Sequence, residues 1–100
     1  MKMIDITLEQ LREAPWNPNR MDEAMLARLR ASVHRYGVVQ NLVVRALAGN
    51  VYEVLSGNQR LKVLQDLGVG TAPCVVVETD DARARLLSQA LNRIQGEDDL

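Results

Sequence analysis

One hundred residues, 47% of them apolar, suffice for one domain around one packed core; with no Phe, one Trp and two Tyr, that core is aliphatic. A net charge of −1 argues against a free-standing, non-specific nucleic-acid binder, which is normally basic. No apolar run reaches the length of a membrane span, the N-terminus carries no signal-like pattern, and the single Cys74 excludes an internal disulfide, so the expected setting is the reducing cytoplasm without membrane contact.

Met1–Leu8 alternates apolar Ile4, Ile6 and Leu8 with Asp5 and Thr7 and predicts a short strand. Leu11 is read into a brief helical turn before Pro15. Pro15-Trp16-Asn17-Pro18-Asn19-Arg20 excludes a regular element, and its Trp favours an ordered loop. Asp22 is a good N-cap with Glu23 in the first turn. The helix behind it carries Leu26, Leu29, Val33 and Tyr36 on one face and ends at Gly37. His34, on the polar side and the sole histidine, is read as a surface residue rather than a metal ligand. Between Arg12 and Arg45 the arginines outnumber the acids, and Arg28, Arg30 and Arg35 on this helix are candidates for a DNA-facing surface as well as for an ordinary solvated one.

Val38–Leu47 predicts a second strand, and Ala48-Gly49-Asn50 a hairpin turn into Val51. The next stretch is the most informative in the chain. Val51–Ser56 alternates as a strand and stops at Gly57; from Arg60 the period changes, with Leu61, Leu64 and Leu67 at helical spacing and Gly68 where a C′ glycine stands. Strand, glycine turn and helix in that order place a helix N-terminus above a strand end. Arg60 in the first turn opposes the helix dipole, so its charge calls for a compensating anion, and a phosphate meets that need. The other reading makes Asn58 an N-cap and pairs Arg60 with Glu53 or Glu78; the stretch alone leaves both open.

Pro73–Val77 reads as a buried strand with Cys74 as a core thiol. A last helix over about Asp81–Ile94, capped by Asp80 or Asp81, shows Ala84, Leu87, Leu91 and Ile94 on one face. The acidic Glu97-Asp98-Asp99 follows it. The order of elements predicts an α+β domain, a small mixed sheet with packed helices spanning residues 1–100 either as a whole protein or as a piece of a longer one.

Taken together, Asn17-Pro18-Asn19-Arg20, Leu29 with Ser32-Val33 and Tyr36-Gly37, Gln40 to Arg45, Tyr52 to Leu61, and Ala90-Leu91-Asn92 resemble the ParB N-terminal (ParB-like nuclease) domain, whose fold is shared with sulfiredoxin. The resemblance implies a nucleotide-binding switch module acting with DNA, in partition or in phage and mobile-element DNA processing. It would use CTP or ATP with Mg²⁺ and reach DNA through additional domains, partners or a homodimer. It implies that Arg20, Gln40, Gly57, Asn58, Gln59 and Arg60 hold the nucleotide and that Asn92 helps hold Mg²⁺. Two alternatives accompany it: an enzyme, namely a nuclease, a weak NTPase or an ATP-dependent phosphotransferase; and a protein-interaction domain with a decayed pocket. Partition proteins usually read G-E-R-R at the corner, so Asn58 removes a carboxylate there and puts hydrolysis in question. The sulfiredoxin reaction needs a thiol at the corner, where this chain has Asn58 and Gln59, so a sulfiredoxin is not expected.

Overall fold

The computed structural model describes residues 2–15, 23–37 and 41–95, with the side chains of 92–95 outside that description. Its elements are β1 (Lys2–Thr7), a 3-10 turn (Leu8–Gln10), β2 (Leu11–Glu13), α1 (Glu23–Tyr36), β3 (Leu42–Leu47), β4 (Val51–Ser56), α2 (Asn58–Asp66), β5 (Thr71–Val76) and α3 (Asp81–Gln95). Five strands form one mixed sheet in the order β1-β5-β3-β4-β2. β1 and β5 are antiparallel, as are β3 and β4, while β5 runs parallel to β3 and β2 parallel to β4. The α+β expectation is met.

The core is aliphatic because the composition leaves no choice. Leu42, Val44 and Val54 of the central strands, Ile6, Ala72 and Cys74 of the β1–β5 pair, and Leu11 of β2 meet Leu29 and Val33 of α1 and Leu61, Val63 and Leu64 of α2. α3 is set apart from this cluster, and its buried Ala84 and Ser88 approach β4 at Leu55. A register shift between Val43 and Val44 leaves Leu55 as the extra residue of a bulge, since Ser56 pairs with Val43 and Val54 with Val44. Such a residue loses its place in the ladder. The Ser88 hydroxyl compensates by donating to the Leu55 carbonyl at 2.7 Å, inside the protein.

Four expectations need correction. Leu11 belongs not to a helical turn but to β2, where three residues pair with Tyr52–Val54; so short a strand shows no period. Tyr36 does not join the apolar face of α1: it is 65% exposed, with the Arg35 guanidinium 5.2 Å from its ring centroid. Glu53 is not a partner for Arg60, because Arg45 holds it. The N-cap of α2 is Gly57, with Asn58 the first helical residue. At α3 the alternatives resolve: Asp80 caps, its Oδ1 accepting from the Arg83 N–H at 2.8 Å, and Asp81 turns to Arg45. Trp16 and Asp22 lie outside the described residues.

Candidate functional site

The corner between β4 and α2 is built by a backbone that only glycine adopts easily. Gly57 has φ 101° and ψ 21°, a left-handed conformation in which a side chain is strained. A Cβ there would overlap Leu42 Cδ2, and Arg60 Nη1 would lie 3.7 Å from it. The guanidinium of Arg60 therefore folds back over Gly57, and the residue is only 5% exposed. The helical ladder starts with Leu61 N–H donating to the Gly57 carbonyl at 2.8 Å, so the amides of Asn58, Gln59 and Arg60 precede the first rung, at the positive end of the dipole. Gly57 and Arg60 are thus brought together as expected. Gln59 is half-buried on the same turn.

Asn58 behaves differently. Its Nδ2 donates to the Val54 carbonyl at 3.1 Å and its Oδ1 accepts from the Ala14 N–H at 3.4 Å, with the residue itself 7% exposed. The carboxamide is turned inward, onto backbone. Arg20 and Gln40 fall outside the described residues, as does the side chain of Asn92, which sits in the last turns of α3. Among the described residues no three His, Cys, Asp or Glu side chains are grouped as metal ligands, and no helix is long and apolar enough to cross a membrane. His34 is exposed on α1, and so are Arg28, Arg30 and Arg35; Arg30 is engaged with Asp66 at 2.8 Å.

Sequence reasoning missed a charged network that joins the β3–β4 pair to the start of α3. Arg45 donates from Nε and Nη2 to Glu53 Oε1 at 2.8 Å and from Nη1 to Asp81 Oδ1 at 2.7 Å. Burial by itself would lower the pKa of Arg45, but the hydrogen bonds to Asp81 and Glu53 overcome it and hold the value above normal. The signal was present: Arg45 and Glu53 stand four residues either side of Gly49, the centre of the expected hairpin turn, and so face each other across it.

Cys74 is a buried core residue, with its pKa pushed up to about 11 chiefly by burial and further by the charge of Asp5. A neutral thiol is no nucleophile. The raised value also gives a pH dependence. The native thiol keeps its proton while the unfolded one ionises near its ordinary 9.0, so this contribution to stability is complete below pH 9 and lost as pH rises through 11. Alkaline urea titrations are expected to show a shallower decline over that range for Cys74→Ala than for the parent. An identical decline in both proteins would contradict the assignment.

Comparison with known proteins bears on the family and the fold. The model of the ParB N-terminal domain family matches residues 1–92. The probable chromosome-partitioning protein ParB of Pseudomonas putida is 33% identical over 94 residues, covering 93% of this chain and 32% of its own length, so the chain spans about a third of such relatives. The C-terminally truncated chromosome-partitioning protein ParB of Caulobacter crescentus, solved with CTP-γ-S, superposes with a TM-score of 0.83 at 27% identity over 92% of this chain and 53% of its own; solved with the centromeric parS site, it gives 0.74 at 26% over 89% and 46%. Sulfiredoxin from Arabidopsis thaliana, at 22% identity and a TM-score of 0.71 over 87% of this chain and 97% of its own, shares the fold.

Proposed function

Because the chain belongs to the ParB N-terminal domain family, we propose that it is a nucleotide-responsive module that takes a nucleoside triphosphate at the Gly57–Arg60 corner and works with DNA in partition. The observation that carries this reading is the corner itself. Gly57 turns the chain in a left-handed conformation at the helix start, a buried arginine folds over it, and the first amides of α2 precede the helical ladder beside it; the arginine charge and the positive end of the helix both favour an anion. The CTP-γ-S complex of the Caulobacter protein supports CTP as the first nucleotide to try and ATP as the second. Mg²⁺ would enter with the phosphates, since this ion is commonly held by phosphate oxygens, water and few protein groups. Asn92, Arg20 and Gln40 are proposed to complete the site. The parS complex supports a role with DNA, for which Arg28 and Arg35 are the exposed candidates on α1 and Arg30 is a third, already engaged with Asp66. Further domains or a second copy would supply the rest of the contact.

A thermal-shift series with CTP, ATP, GTP and UTP in Mg²⁺ tests the reading. A ligand that binds only the native state adds about 2.7 kcal/mol at a hundredfold excess over Kd. Arg60→Ala is expected to abolish the shift, and Arg60→Lys to weaken it, because lysine keeps the charge but loses the planar fork. As Arg60 is buried, the alanine variant also loses packing of its stem, so affinity is compared by calorimetry on folded protein. A parent that responds to none of the four nucleotides, or an Arg60→Ala protein that binds as well as the parent, would refute the proposal.

A further inference from the structure

We infer that Asn58 is a positioning residue, which sets the angle of the Gly57–Arg60 corner without touching the ligand; the inference rests on the nucleotide reading above for its consequence, but not for its geometry. Three separate pieces of chain meet at this side chain. Nδ2 holds the carbonyl of Val54 in β4, Oδ1 holds the N–H of Ala14 just beyond β2, and the Asn58 backbone is the first residue of α2. Ala14 and Asn58 are both nearly fully buried, so water does not substitute readily for either bond. A carboxamide donates from one atom and accepts at another, so it spans two backbone partners that a hydroxyl, with a single oxygen, reaches less readily. The Leu61 N–H to Gly57 carbonyl bond, by contrast, lies within the helix itself and does not tie it to the sheet. Asn58 thus ties the helix start directly to the backbone of β4 and to the chain just beyond β2. Arg60 is two residues further along the same first turn, so tilting that turn displaces the guanidinium from above Gly57.

The brace and the ligand site can be separated experimentally. In the parent, hydrogen exchange followed by NMR is expected to find the Ala14 amide protected, and Asn58→Ala to remove that protection. Calorimetry with Mg²⁺ and CTP or ATP, well below the melting temperature, is expected to show about tenfold weaker binding by Asn58→Ala, part of the effect of losing both bonds, with the ranking of the two nucleotides unchanged. Asn58→Asp keeps the acceptor for Ala14 but sets a carboxylate against the Val54 carbonyl, so it is expected to retain Ala14 protection and still bind more weakly. Unchanged affinity in Asn58→Ala beside a lowered melting point would reduce the residue to a structural one and overturn the inference while leaving the nucleotide reading intact. Lost affinity with Ala14 still protected in Asn58→Ala would overturn it in favour of direct ligand contact. If Arg60→Ala and the parent alike bind no nucleotide, the reading and the positioning role fall together, whereas the exchange data still decide the brace.

Discussion

Arg45→Ala is expected to destabilise the fold by about 3–5 kcal/mol, the range for removing one partner of a buried ion pair. Arg45 and Glu53 are 9% and 8% exposed in their side chains, and they pair between neighbouring strands. Without the guanidinium, the Glu53 carboxyl loses its buried partner in a place that water barely reaches. Asp81, 89% exposed, is hydrated in any case, so Asp81→Asn should cost under about 1 kcal/mol. For a domain with about 5–15 kcal/mol in total, the Arg45 loss would leave a small margin. Urea denaturation gives the measurement, and a double variant gives the reason. Arg45→Met with Glu53→Leu removes both charges at similar volume and is expected to recover most of the loss. A cost below 1 kcal/mol for Arg45→Ala would mean that the pair is effectively solvated. A double variant no better than the single one would point to shape rather than charge.

Gly57→Ala is expected to be the most damaging small substitution in the corner, for two independent reasons. A non-glycine residue held in the left-handed region costs roughly 1–3 kcal/mol. The added methyl also overlaps Leu42 Cδ2, and Leu42 is a fully buried core residue with little freedom to retreat, which adds an overpacking cost of about 1–3 kcal/mol. Together these suggest a loss of about 2–6 kcal/mol, along with loss of any nucleotide-dependent shift. Combining Gly57→Ala with Leu42→Val separates the two parts: it is expected to relieve the overlap but not the backbone strain, so stability returns in part relative to the sum of the single effects. Strict additivity of the two substitutions would show that the methyl never meets Leu42.

The placement of Leu42 explains why the corner is where it is. β3 starts at Leu42, beside Cys74 of β5 in the parallel register, and its side chain supports the underside of Gly57. The glycine is therefore demanded twice, by its φ and by its neighbour. The first demand could be read from the chain, because a strand that stops at glycine before a helical period implies an abrupt turn. The second could not, since Leu42 is fifteen positions away by direct count on the sequence.

By itself the sequence determined the α+β class, the strand–glycine–helix corner, the helices α1 and α3, the β3–β4 hairpin and the core placement of Cys74. These are local matters: alternation, helical spacing, caps and turn glycines act over a few residues, and burial of the apolar face enforces them. Only the tertiary structure decided that Leu11–Glu13 is a strand, because three residues gain their pairing from β4 and not from their own pattern. It alone decided that Asn58 faces inward to Val54 and Ala14, since a carboxamide at a helix start suits a cap and a ligand contact equally well until its partners are placed. The Arg45–Glu53 contact was within reach of the sequence, since a hairpin centred on Gly49 sets the two opposite each other, but its third member was tertiary: only the placement of α3 brings Asp81 to Arg45, 36 residues away along the chain.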